Sequence, residues 1–255
     1  MATIAQRGPI VRPDDRLFLG GSIVMVLIIV AGFSLQLAAG RSSFASPLYV
    51  HVHALTFFGW VAIYSTQLLL ATTGSIALHK RLGWVAAAWI PLMVVVGTVV
   101  AVEALRAARA APIFTPAYFL IMAPLTVYCF AVLATGAIVQ RRETEWHKRL
   151  HFLAMASLMG PGFGRLLPMP LLIPYTSLVE TVLVLLIPVG TIGIDARRTG
   201  HVHPAWWWGL GTIVASRVLI ETLAASPLAV ALYALVTAGS PGAGLAPLAY
   251  PRIPG

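Results

Sequence analysis

Residues 17–39 read L-F-L-G-G-S-I-V-M-V-L-I-I-V-A-G-F-S-L-Q-L-A-A, without one ionisable side chain. A helix needs about 20 mostly apolar residues to cross the hydrocarbon core of a bilayer. This stretch meets that requirement, and six more follow at about 49–72, 83–104, 116–140, 150–169, 175–194 and 205–236. The first is too long and too far into the chain for a cleaved signal peptide, and it has no clear small-residue cleavage site. Composition points the same way. Of 255 residues, 59% are hydrophobic and 10% charged, whereas a soluble domain carries roughly a quarter charged residues. A soluble domain, a disordered chain and a collagen-like fibre are excluded. The single cysteine, Cys129, rules out a disulfide scaffold. The expected fold is all-α: a polytopic membrane protein, built as a seven-transmembrane-helix bundle. A cytoplasmic tail (1–16) precedes the transmembrane domain (17–236), and a Pro/Gly-rich tail (237–255) follows it.

Basic residues set the expected orientation, because cytoplasmic loops of membrane proteins accumulate Lys and Arg. With the N-terminus inside, inner segments carry Arg7, Arg12, Arg16, Lys80, Arg81, Arg141, Arg142, Lys148, Arg149, Arg197 and Arg198. Outer segments carry only Arg41, Arg106, Arg109 and Arg252. The bias favours N-in, C-out. Trp84, Trp146 and Trp206–Trp207–Trp208 then mark the inner interface, and Tyr49, Tyr118 and Tyr175 the outer one. The net charge of +9 is accounted for by these loops, so the expected partners are membrane lipids and no nucleic acid. Pro91, Pro124 and Pro188 fall inside spans. The run G-P-G-F-G-R-L-L-P-M-P-L-L-I-P at 160–174 is too rich in Gly and Pro for plain helix, so the fifth span is expected to end early or break there.

Ionisable residues within spans are expensive and mark function by default. Glu103, Arg165, Glu180, Arg217 and Glu221 are such residues. A rise of 1.5 Å per residue puts Arg165, Glu180 and Arg217 about 24, 21 and 20 Å from their inner helix ends. With His53, these residues share the outer half of one slab. Helical spacing groups His53, Trp60, Tyr64 and Gln67 into one stripe. It groups His147, His151, Ala154, Leu158 and Arg165 into a second, and His203, Trp207, Leu210, Val214, Arg217 and Glu221 into a third. Converging stripes would enclose a buried polar chamber of Gln67, Glu103, Arg165, Glu180, Arg217 and Glu221. The plainer reading pairs Arg217 with Glu221 along one helix and Arg165 with Glu180 between helices.

A second constellation lies on the inner side, where His79, His147, His151, His201 and His203 cluster at helix ends. Imidazole binds both transition metals and haem iron. His147 and His151 are one turn apart and can share one metal. The residues between them are Lys-Arg-Leu, so the H-E-x-x-H motif of zinc proteases is absent. The plainer alternative is that these histidines belong to basic loops contacting anionic headgroups. One internal echo, L-H-K-R-L-G-W at 78–84 and W-H-K-R-L-H-F at 146–152, is compatible with a duplicated hairpin or with two independently basic loops.

Other classes are excluded. Lys80 and Lys148 are the only lysines, so nothing in the seventh span can hold retinal. P-loop, G-x-S-x-G, G-x-G-x-x-G and C-x-x-C-H motifs are missing. Two bis-histidine haems do not fit, because the outer side offers only His51 and His53; one haem near the inner side does.

H-V-H-A-L-T-F-F-G-W (51–60), Y-S-T-Q-L-L-L (64–70) and G-S-I-A-L-H-K-R-L-G (74–83) resemble a family of uncharacterised bacterial integral membrane proteins. That family shows a histidine-led second helix and an L-H-[KR]-R-L-G loop. The similarity continues at W-H-K-R-L (146–150) and T-G-H-V-H-P (199–204). The histidine and H-[KR]-R pattern is also similar to small membrane proteins of haem-copper oxidase assembly. The resemblance implies a helical fold in a bacterial inner membrane and shared histidines at His53, His79, His147 and His203, without a reaction.

Three functions compete. The first is a protein that binds a redox cofactor, one b-type haem or a transition metal, using His53, His79, His147, His151 and His203 as the ligand pool. The second is a cofactor-free accessory or assembly subunit of a respiratory or photosynthetic membrane complex. The third is a small ion-coupled carrier using Glu103, Glu180 and Glu221.

Overall fold

A computed structural model describes residues 13–42 and 44–251, with side chains from residue 16 onward. Residues 1–12, and with them Arg7 and Arg12, lie outside the described residues, as does Arg252. The described chain is helical without strands. In order it forms α1 (Pro13–Ala38), α2 (Leu48–Thr72), α3 (Ile76–Arg106), α4 (Pro116–Val139) and α5 (Thr144–Ser157). Then come α6 (Gly160–Leu166), α7 (Thr176–Thr199), α8 (Pro204–Ala224) and α9 (Pro227–Thr237). Short 3-10 turns sit at Met169–Leu172 and Pro241–Gly244.

Five helices (α1, α2, α3, α4 and α7) are each long and apolar enough to cross a membrane. Their outer faces stay apolar: Leu27, Leu55, Val95, Val132 and Leu186, one from each, are all more than half exposed. Exposed apolar surface on this scale needs another apolar phase to cover it, and lipid supplies one. Pro91, Pro124 and Pro188 each lie inside a continuous helix.

The two remaining expected spans are broken. The fifth, 150–169, divides into α5 and α6, with Leu158 and Met159 between them. Gly160 and Pro161 start the second piece, as expected where Pro occupies a first helical turn. The seventh, 205–236, bends by 76° between α8 and α9, and only the two together are long and apolar enough to cross. Pro227 disfavours helical geometry at the residue before it, and Ser226 is extended.

α5 is the axis of the bundle. It packs against α1, α4, α7 and α8, and Phe152 through Ala156 are essentially inaccessible. Helix approach is close where glycine permits it. A Cβ at Gly32 of α1 would meet the Gly162 carbonyl oxygen of α6, and one at Gly209 of α8 would strike the Leu153 side chain. Much of the expected C-terminal tail is packed as well. Tyr233 Oη donates to the Gly242 carbonyl (2.6 Å), and the Pro247 carbonyl accepts from Ala117 N (2.9 Å) at the start of α4.

Candidate functional site

Helix direction sorts the polar side chains to two ends. At the end where α5 and α8 begin, three histidine rings meet. His79, in the first turn of α3, directs Nδ1 to the Gln67 carbonyl (3.2 Å), and His147 on α5 directs Nδ1 to the Ala137 carbonyl (2.8 Å). A carbonyl only accepts, so each ring donates Nδ1–H and keeps its Nε2 lone pair when neutral. The two ring centroids are 6.1 Å apart, and those of His147 and His151 are 4.8 Å apart. Trp60 of α2 closes the group, 6.5 Å from the His151 ring. Three buried polar atoms here have no partner: His151 Nδ1, Trp60 Nε1 and Gln67 Oε1. An unsatisfied buried polar atom costs about 1–3 kcal/mol. Among the described residues, however, no three His, Cys, Asp or Glu side chains are already gathered as a metal-ligand set.

Gln67 therefore joins the histidines rather than the glutamates. The other two histidines of this end stand apart. His203 accepts from Ala205 N as the cap of α8 and meets the edge of Trp146, and His201 directs its Nδ1 to the Thr199 carbonyl of its own turn.

The same end holds a buried ion pair that the sequence reading missed. Arg149 is not a loop cation. Its side chain is 2% exposed, and its Nε and Nη2 donate to Asp195 Oδ2 of α7 at 2.9 and 2.7 Å. Trp206 Nε1 donates to the same oxygen (2.6 Å), and Glu145 pairs with Arg149 from one turn below. Phe18 of α1 stacks on Trp206, under the Lys148 and Arg149 cations. One signal was present in the sequence: Asp195 lies at the end of an otherwise acid-poor apolar helix, eleven residues before a Trp.

At the opposite end, Glu221 (54% exposed) accepts from Tyr118 Oη (2.7 Å) and Ser177 Oγ (2.6 Å) and lies 3.6 Å from Arg217. Arg217 Nη2 donates to the Ser177 carbonyl (3.1 Å) and to the Tyr118 hydroxyl (3.2 Å). Behind Arg217 lies a cavity of about 30 Å³, lined by Glu180, Thr181, Ser157, Cys129 and Ser216 among others. Glu180 Oε2 and Arg217 Nε are buried without partners.

The expected chamber thus shrinks to Glu180, Arg217 and Glu221. Glu103 leaves it: its side chain is 45% exposed and faces Arg106 (4.0 Å) at the end of α3. Arg165 does not pair with Glu180. It donates to the Pro161 carbonyl (2.9 Å) and lies over the Phe33 ring (3.9 Å). His53 stacks near Phe57 (4.3 Å), with its Nδ1 buried and unpartnered. The α2 stripe faces inward as expected, with Trp60 and Tyr64 buried. The α8 stripe does not. Trp207 and Val214 are exposed, whereas Trp206, Gly209, Ile213 and Ile220 are buried.

These features define a multi-pass α-helical membrane protein with two separate polar centres inside the bundle. No family model matches the chain, and no curated protein or solved structure matches it either.

Proposed function

We propose that the protein binds one redox-active transition-metal ion at the histidine end, with His79 and His147 as first ligands and His151 as the third. The observation that carries this reading is the pair of Nδ1–carbonyl hydrogen bonds, which leaves two neighbouring Nε2 lone pairs free. Metal-binding histidines are oriented in this way by their other ring nitrogen. Metal–nitrogen bonds of about 2.0–2.1 Å in a tetrahedral site put ring centroids roughly 5–6 Å apart, close to the spacings of this group. Closing the set requires the His151 ring to turn, and the unpartnered Nδ1 of that ring gains a bond when it does. Gln67 Oε1 and Trp60 Nε1 are then available to a metal-bound water. A b-type haem is the alternative occupant, but it needs room for a porphyrin plane beside rings this close. His53 and His203 are not part of the site.

In the same reading the chain crosses the bacterial inner membrane seven times, N-in and C-out. The α5–α6 pair forms the fifth crossing, and α8, capped by α9, the seventh. The Lys/Arg bias supports this orientation.

The test is metal analysis together with oxidised and dithionite-reduced optical spectra of detergent-purified protein. The expected result is stoichiometric metal that is lost in His147→Ala. A Soret band that shifts on reduction would assign haem instead. A sample with no stoichiometric metal and no Soret band overturns the reading.

A further inference from the structure

Glu180 has no place in the histidine site, yet its surroundings are unusual for a carboxylate. It lies on α7 inside the bundle, and the ion pairs among the described residues do not include it. One oxygen, Oε2, is buried without a partner. The carboxyl group fits only because residue 160 is glycine, since a Cβ there would overlap it. A buried carboxylate that lacks a direct ion pair costs several kcal/mol, and protonation removes that cost.

The cavity beside Glu180 makes the site exchangeable. At about 30 Å³ it exceeds the roughly 10–15 Å³ a single water requires. Its polar lining includes Thr181, Ser157 and Ser216, enough partners to hold that water. The way outward from it follows α7. Ser177 is one turn from Glu180 and Thr181 on α7, and residues so spaced share a helix face. Ser177 Oγ bonds Glu221, whose carboxylate reaches the surface. The charged and titratable groups packed around this route are Arg217 and Glu221 on α8 and Tyr118 and Cys129 on α4. The Arg217 charge is offset by Glu221 at 3.6 Å, and Arg165 of α6 is turned away onto Phe33.

We propose that Glu180 is a proton-binding carboxylate inside the bundle, loaded from the Glu221 end through Ser177 and the water-sized cavity. A proton on Glu221 passes to the Ser177 oxygen as that hydroxyl turns to donate inward. The cavity water receives the Ser177 proton and delivers its own to Glu180 Oε2. Release runs the same steps in reverse, so no electron moves and no covalent bond other than O–H is exchanged. The site stands whether or not the histidines hold a metal.

The test is infrared spectroscopy of the full-length protein in lipid, with H₂O exchanged for D₂O at neutral pH. A protonated carboxyl C=O band is expected in the wild type, shifting on exchange. It should be absent in the near-isosteric Glu180→Gln, and its exchange should slow in Glu221→Gln. If Glu180→Gln fails to fold, Gly160→Ala serves instead, because it crowds the carboxyl and should move the band. No wild-type band, or a band that Glu180→Gln and Gly160→Ala both leave unchanged, overturns the proposal. So does a band whose exchange is as fast in Glu221→Gln as in the wild type, because the loading route would then be wrong.

Discussion

Asp195→Asn is the most informative single change. It keeps the size of the side chain and an oxygen able to accept from Trp206 Nε1, but removes the charge facing Arg149. Both partners are almost fully enclosed, at 2% and 6% exposure, so water cannot take over the role of the lost carboxylate. Breaking a buried ion pair from one side costs about 3–5 kcal/mol, because the remaining charge is uncompensated. Glu145 moderates the loss, since it also pairs with Arg149 from a half-exposed position, which favours the lower end of that range. For a chain of this size each kcal/mol moves the melting temperature by about 2–4 °C, so a fall of about 6–12 °C is expected. The assay is thermal unfolding of detergent-solubilised protein, followed by tryptophan fluorescence and by loss of the monodisperse gel-filtration peak. Adding Arg149→Met to Asp195→Asn should recover most of the loss, because no buried charge is left and Trp206 Nε1 keeps its acceptor. A single mutant that melts within about 1 °C of wild type would refute the view that the pair is sealed from water.

Two further outcomes follow from the packing. Gly32→Val should cost about 1–3 kcal/mol, because its Cβ meets the Gly162 carbonyl, whereas Gly20→Ala, with nothing nearby, should be neutral or stabilising; equal melting shifts would contradict the α1–α6 contact. Tyr64→Phe leaves the buried Ser22 hydroxyl without its 2.7 Å partner and should destabilise by about 1–3 kcal/mol, while adding Ser22→Ala should cost little more.

Apolar run length was enough to locate α1, α2, α3, α4 and α7, because a lipid-facing helix must be apolar along its whole length. It was less informative for α5 and α8. α5 is surrounded by protein, so its ends tolerate Glu145, Lys148 and Arg149, and run length alone gave its start six residues late. In α8 nearly every face is apolar, so spacing could not tell Trp206, turned onto Asp195, from Trp207, turned outward. The histidine group was legible in part: the one-turn spacing of His147 and His151 held, and His79 joined them from α3. Gln67 was misassigned because depth along a helix was not weighed against its place in the stripe. Asp195 was overlooked because an acid near a helix end looks solvated until its partner on another helix is known.

The placement of α5 also bears on how the chain enters the bilayer. An Arg or Lys costs about 2.5–3.5 kcal/mol at the centre of an inserting helix and less near its ends, and α5 carries one of each in its first two turns, with two histidines besides. The groups that make Arg149 tolerable, Asp195 and Trp206, are synthesised later, on α7 and α8. α5 is therefore better accommodated in the finished bundle than against lipid alone. A chain cut short before residue 195 leaves Arg149 with Glu145 as its acidic partner, so the C-terminal half completes the surroundings of the middle.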